Sequence, residues 1–320
     1  PAGEITIGRL LKDAGYATAL IGKWHLGYEA KFAPRQHGFD HAFYCLGGGM
    51  DYFHHVEEPP SLTPVLRLDG QPVKRDGYFT DLIAQDAVRW LGEHAGNPFF
   101  LYVPFTAPHS PFQGPDEKRP APLPAESERW KQGQAPPRVY AAMIERLDEA
   151  VGKILDAVQR AGVADRTLVL FTSDNGGTAS ARPSGLRGIK GCTFEGGIRV
   201  PCIVRWPGVL KAGIEYPHPA LTFDLTASMA RAAGVASSRP FDGVDILRHV
   251  AAHEPPPARS LCWRQRRGDR TWRAVREGTL KLVSETRGAA VEEFLFDLAT
   301  DGAEKNNLLT ERPDEAHRLK

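Results

Sequence analysis

The chain has 320 residues, 42% of them hydrophobic, which is enough for one large packed domain and a small one. Its 40 basic and 39 acidic residues leave a net charge of +1, and with no long basic run nothing suggests a nucleic-acid partner. No apolar run approaches the ~20 residues of a membrane-spanning helix.

Helical and strand patterns alternate along the chain. Glu4 to Ala14 reads as a helix, with Ile7, Leu10 and Leu11 on one face and Gly15 as its stop. "YATALIGK" then reads as a strand. Tyr78 to His94 carries apolar residues at helical spacing, and "PFFLYVPF", Pro98 to Phe105, is an apolar run of strand length. Pro108 to Arg138 is rich in proline and charge and reads as a long, substrate-facing surface loop. The clearest helix is Val139 to Ala161, whose stripe runs through Tyr140, Met143, Ile144, Leu147, Val151, Ile154, Leu155 and Val158. Thr167 to Thr172 and "RVPCIVRW" read as strands, "LTFDLTASMARAAG" as a helix, and "HEPPPAR", His253 to Arg259, as a linker. "TWRAVREG", "TLKLVSE" and "EEFLFDLAT" follow as short strands. The alternation predicts an α/β fold: a largely parallel sheet flanked by helices, with a small antiparallel C-terminal subdomain. The domains are expected at residues 1–252 and 260–320.

The strand at Thr167 ends in Ser173, Asp174, Asn175, Gly176 and Gly177. Asn-Gly is a strong hairpin signal between alternating strands, but "TASARPSGLRG" beyond it has no strand pattern. The other reading puts Asp174 and Asn175 at the carboxyl end of a core strand, the edge where open α/β sheets bind ligands. Three further spots collect polar residues beside strands or glycines: "GKWHLG" (Gly22 to Gly27), "APHSP" (Ala107 to Pro111) and "GIKGCTFEGGIRVP" (Gly188 to Pro201). Each alone is ambiguous, since a lysine is ordinarily solvated and a strand-end histidine ordinarily structural. As a set, they offer a carboxylate and an amide oxygen suited to a hard cation, two lysines, and two histidines that exchange protons near neutral pH. That inventory suits an anionic tetrahedral group, sulfate or phosphate, better than hydride transfer. The "GGG" at Gly47 to Gly49 lacks the dinucleotide pattern and is not read as a nucleotide cradle.

Cys45, Cys192, Cys202 and Cys262 form no Cys-x-x-Cys pair. Neither zinc nor a disulfide framework is expected of them, only small buried side chains.

In this combination the chain resembles the sulfatases of the alkaline-phosphatase superfamily. "AGYATALIGKWHLG", "HGFD", "PFFLYVPFTAPHSPF", "VYAAMIERLDEAVGKIL", "FTSDNGG", "IKGCTFEGGIRVP" and "LFDLATDGAEKNNL" all resemble the family, in its order. "LGGGMDYFHH" is similar to the arylsulfatase and N-acetylgalactosamine-6-sulfatase types. The resemblance implies an alkaline-phosphatase-like fold and hydrolysis of sulfate monoesters on a sulfated small molecule or glycan. It implies that Asp174 and Asn175 are ligands of a calcium ion and that Lys23 and Lys190 contact sulfate oxygens. His25 would sit beside the nucleophile, and His109 would protonate the leaving alcohol. Glu195 and Arg199 are expected to be an ion pair or loop brace. A periplasmic or extracellular location goes with the family; the sequence carries no signal of oligomeric state.

The chain also departs from the family. Its nucleophile is a formylglycine made from Cys or Ser in C/S-x-P-x-R, and no such motif occurs here. Nor does any Asp-Asp pair, which the family uses as further calcium ligands. Cys192 reads as a tolerated small residue, not a replacement nucleophile. The expectation is therefore an N-terminally truncated sulfatase, inactive as given. The alternatives are a phosphate or phosphonate ester hydrolase of the same superfamily, or a non-catalytic protein that binds sulfated glycans.

Overall fold

The computed structural model describes residues 4–181 and 185–320. Its elements are α1 (Ile7–Asp13), β1 (Ala17–Lys23), β2 (His41–Cys45), β3 (Leu66–Leu68), β4 (Gln71–Pro72), α2 (Phe79–His94), β5 (Phe99–Tyr102), α3 (Pro137–Arg160), β6 (Val169–Thr172), α4 (Glu195–Ile198), β7 (Cys202–Arg205), α5 (Thr222–Ala232), α6 (Ile246–Ala252), β8 (Ser260–Arg267), β9 (Arg270–Glu277), β10 (Leu280–Arg287), β11 (Ala290–Asp297) and α7 (Pro313–Leu319). They form two compact units, Pro1–Leu168 with Trp206–Pro255, and Val169–Arg205 with Pro256–Lys320. Among the described residues no helix is long and apolar enough to cross a membrane.

The first unit is built on a five-stranded sheet in the order β4-β3-β2-β1-β5. β1 pairs parallel with both β2 and β5, and the short β3 and β4 add an antiparallel edge. Ala19, Leu20 and Ile21 of β1 are fully buried, as expected of a parallel strand covered on both faces. α1 starts where the Thr6 hydroxyl accepts from Arg9 N at 3.1 Å, a cap that satisfies one of the first unpaired amides. α2 and α3 pack on one face of the sheet. Ile83, Ala87, Trp90 and Leu91 of α2 meet Met143, Ala157 and Val158 of α3 in the main core. The stripe predicted on α3 is wider than its buried face, and Ile144 is 42% exposed.

The second unit holds a meander of β11-β10-β9-β8, antiparallel throughout, and a separate antiparallel pair, β6 with β7. The side chains of Phe194, Trp272, Ala274, Val283 and Phe296 form one cluster of this unit, so the 188–201 loop is anchored on the meander. Leu282 and Leu295 meet Ala316 and Leu319 of α7 in another.

The central sheet is mostly parallel, as the alternation predicts, but β6 and β7 lie outside it. β6 has strand propensity without the double-sided burial of a core strand, since Phe171 is 40% and Ile203 opposite it 62% exposed. The Asn175-Gly176 pair is not a hairpin turn either: β6 and β7 are joined through the long 173–201 segment. All four cysteines are free. Only Cys45 is the expected buried side chain; Cys192 is half-buried, and Cys202 and Cys262 are exposed.

Candidate active site

In the first unit, the parallel strands β1, β2 and β5 deliver their following loops to one sheet edge, the carboxyl edge where such sheets bind ligands. Lys23 ends β1. Its position depends on Gly22, at φ +140°, where a Cβ would lie 2.2 Å from the Pro104 carbonyl oxygen. Only glycine allows β1 to approach the end of β5 this closely. Lys23 N then donates to Pro104 O at 2.7 Å. Pairing continues past the strand, with Trp24 N donating to Cys45 O at 3.0 Å and His25 N to Leu46 O at 3.1 Å. Trp24 is buried, and its indole N–H donates to Phe32 O at 2.8 Å. The chain turns at His25, which is exposed and holds a left-handed φ of 54°. A non-glycine residue held there is a strained position of the kind that gathers at functional sites.

The Gly47–Gly49 segment following β2 carries the histidines. A Cβ on Gly48 would lie 2.6 Å from His25 Cε1, and one on Gly49 would lie 3.2 Å from His109 Nδ1. Successive Cα atoms are ~3.8 Å apart, so His25 and His109 rest on neighbouring residues of one short backbone. The segment is pinned by Asp51, fully buried. Its Oδ1 accepts from Phe53 N and His54 N, and its Oδ2 from Gln113 Nε2 and Leu123 N.

His109 follows β5. Its Nδ1 lies 2.8 Å from the Ser110 carbonyl oxygen, so Nδ1 carries the proton and donates. Nε2 is then the basic atom and accepts from Gln132 Nε2 at 3.0 Å. Gln132 comes from the proline-rich 108–138 loop, which the sequence marked as substrate-facing without singling out a residue.

In the second unit, Asp174 and Asn175 follow β6. Asp174 is exposed and Asn175 half-buried. The Asn175 amide nitrogen donates to Gly176 O at 2.9 Å, which leaves its side-chain oxygen as the atom a cation would take. Lys190, half-buried, lies on the loop against them: its backbone N donates to Gly177 O at 2.8 Å, and Gly176 N donates to Gly197 O at 3.0 Å. Two glycine pairs make this contact close. A Cβ on Gly176 would lie 2.1 Å from Gly196 O, and one on Gly196 would lie 2.2 Å from Gly188 O.

Beneath the Lys190 loop is a buried ion cluster. Lys281 Nζ lies 2.8 Å from Glu195 Oε1 and 2.8 Å from Glu304 Oε1, and Glu195 N donates to Glu304 Oε2 at 2.6 Å. Burial pushes the Glu304 carboxyl up, against the pull of Lys281. Arg187 stacks its guanidinium over Phe194 at 4.3 Å and Phe294 at 4.5 Å. Glu195 is thus the brace the sequence suggested, with Arg199 a looser second partner at 3.9 Å. Lys281, Glu304 and Arg187 were not legible as its partners.

Asp174 and Asn175 fit a hard cation in donor type. They do not make a site on their own, because calcium takes six to eight oxygens and among the described residues no three His, Cys, Asp or Glu side chains gather. Cys45 is no nucleophile: burial pushes its thiol up to about 11.

The sulfatase family profile matches residues 1–235. The chain is 34% identical to mouse (Mus musculus) N-acetylgalactosamine-6-sulfatase over 271 residues, covering 77% of this chain and 49% of that protein. It is 30% identical to bovine (Bos taurus) arylsulfatase A over 362 residues, covering 97% of this chain and 68% of that protein. Among solved structures, Ps i-CgsB in complex with k-i-k-neocarrahexaose superposes with a TM-score of 0.86 at 29% identity, covering 100% of this chain and 73% of that one. The chain spans about half the length of the N-acetylgalactosamine-6-sulfatases it matches.

Proposed function

The chain belongs to the sulfatase family, and from that premise we propose that the protein carrying it hydrolyses sulfate monoesters of a small molecule or glycan. The observation that carries the reading is the seating of His25 and His109 on adjacent glycines at the sheet edge where Lys23 ends β1. Lys23 and Lys190 each offer an ammonium to sulfate oxygens. His109, its Nδ1 proton held by Ser110 O, would take up a second proton on Nε2 and give that one to the leaving-group oxygen, which would stand where the Gln132 amide now does. Such proton transfer is worth roughly 10²–10⁴-fold in rate. His25, fixed against Gly48, would stand beside the formylglycine nucleophile and move a proton there. Asp174 and Asn175 are two oxygens of a larger calcium shell, and a calcium ion held there would offset sulfate charge. The C/S-x-P-x-R motif that yields formylglycine is not among these 320 residues, so this chain's own part is binding, charge neutralisation and proton transfer. A location outside the cytoplasm, periplasmic or extracellular, belongs to the same reading, and N-acetylgalactosamine 6-sulfate is the first substrate to try.

The test is to purify the intact protein carrying this chain from its source and to assay it on an aryl sulfate, an aryl phosphate and N-acetylgalactosamine 6-sulfate. Sulfate release that exceeds phosphate release and falls in His109→Ala supports the reading. Preferred release of phosphate would replace it with phosphomonoester hydrolysis.

A further inference from the structure

Beside the two histidines lies a patch for which the reaction has no use. Tyr28 is 57% exposed, yet its hydroxyl donates to Glu57 Oε1. The pair rests on Gly47, where a Cβ would lie 2.7 Å from Glu57 Oε1 and 3.0 Å from the Tyr28 oxygen. Glu58, exposed, reaches over Gly49, the residue beneath His109: a Cβ there would lie 3.4 Å from Glu58 Oε2. An isolated antiparallel bridge between Met50 and Glu57 folds this acidic segment back onto the glycines. The three glycines thus carry, in order, Tyr28 with Glu57, then His25, then His109 with Glu58. Burial of the hydroxyl and the Glu57 carboxylate push the Tyr28 phenol up to about 12, so it stays a donor at neutral pH. Among the described residues neither carboxylate has an ion-pair partner.

Two carboxylates beside a site for an anionic sulfate ester weaken its binding, unless they meet something other than the anion. Carboxylates accept hydrogen bonds from hydroxyls, and an exposed tyrosine ring offers an apolar face to a sugar's C–H groups. The same carboxylates repel any second negative group, which is how specificity is built against a competitor. We propose that Tyr28, Glu57 and Glu58 form a specificity subsite for the ring that bears the sulfate, one that admits a neutral, hydroxyl-rich sugar and rejects a ring carrying a further sulfate or carboxylate.

The proposal rests on the sulfatase reading, and equilibrium binding separates the two. Calorimetry on the full chain would use inorganic sulfate, galactose 6-sulfate and galactose 2,6-disulfate. We expect galactose 6-sulfate to bind about tenfold more tightly than either of the others. Tyr28→Ala should remove about tenfold for galactose 6-sulfate and leave inorganic sulfate within about twofold. Tyr28→Phe keeps the ring and should lose less. Glu57→Gln and Glu58→Gln should raise the affinity for the disulfate towards that for the monosulfate. Loss of inorganic sulfate binding in Tyr28→Ala, or unchanged discrimination in both Gln variants, would overturn the subsite while leaving the sulfatase reading standing. Sugar binding that depends on Tyr28, with no affinity for inorganic sulfate, would keep the subsite and remove sulfate from it. No binding of any probe would overturn both.

Discussion

Lys281 Nζ and Glu195 Oε1 are 2.8 Å apart, with the lysine fully buried and the glutamate 4% exposed. Glu195 opens the short helix that follows the Lys190 loop, and Lys281 lies on the C-terminal meander. Removing one member of such a group leaves uncompensated charge out of water. Lys281→Met is expected to destabilise the second unit by about 3–5 kcal/mol, because two carboxylates lose their cation together. The triple variant Lys281→Met, Glu195→Gln, Glu304→Gln should recover much of that loss. Urea unfolding followed by tryptophan fluorescence measures both, and a single variant as stable as the parent would show that the cluster contributes nothing.

His55 is 4% exposed, has a left-handed φ of 55°, and among the described residues its Nε2 has no hydrogen-bond partner. Burial holds its imidazole below the ordinary histidine value of 6.5. The unfolded chain therefore takes up that proton more readily than the native one. The resulting stability is present above pH 6.5 and is lost as the pH falls through the folded value. The unfolding free energy should decline on acidification below 6.5, and His55→Asn should flatten that decline. A parent and variant with parallel profiles would assign the pH dependence elsewhere.

Gly48 is in contact with the His25 ring, and a methyl group there would have to displace it. A misplacement of about 1 Å costs roughly 10²-fold in rate, so Gly48→Ala should lower kcat by about that factor with little change in melting temperature. A drop in melting temperature that accounts for the whole loss would make Gly48 a folding residue only.

His109→Ala should harm esters of poor leaving groups most, by about 10²–10⁴-fold, and activated aryl sulfates far less. Gln132→Leu leaves the imidazole in place but removes the donor that favours an unprotonated Nε2, so the alkaline limb of the pH–rate profile, where a general acid is lost, should move to higher pH. Equal losses on both ester types in His109→Ala would take this residue out of the acid role.

Calcium should bind the 320-residue chain weakly, because Asp174 and Asn175 supply one carboxylate and one amide oxygen of a shell that needs six or more. Titration calorimetry should show no sub-micromolar site, and Asp174→Ala should abolish whatever binding is measured. Tight binding that survives Asp174→Ala would place the cation elsewhere.

The long periodic elements were legible in the sequence. β1, α2 and α3 lie within a residue or two of their patterns, because a burial period is written in each. The loops that carry Lys23, His25 and His109 could be placed at a strand's end for the same reason. What escaped depends on pairing between distant residues. β6 has the right composition for a strand, but its one pairing partner among the described residues, β7, is antiparallel and lies beyond a long loop. Gly47–Gly49 does not fit a nucleotide pattern, and its meaning is steric: each glycine faces a side chain from another loop. Lys281 reads as one more charge in "TLKLVSE", and nothing local says that it is buried with Glu195 and Glu304.

The second unit takes its backbone from two stretches of chain, Val169–Arg205 and Pro256–Lys320, with Trp206–Pro255 given over to the other. On a ribosome this imposes a delay. At about 5–20 residues per second, the loops bearing Asp174 and Lys190 emerge seconds before the strand that supplies Lys281. During that interval Phe194 and Glu195 have neither the aromatic cluster nor the cation that holds them. A nascent chain stalled or cut short before β10 would therefore present these loops unanchored to proteases and chaperones, although every residue proposed for sulfate or calcium had already been made.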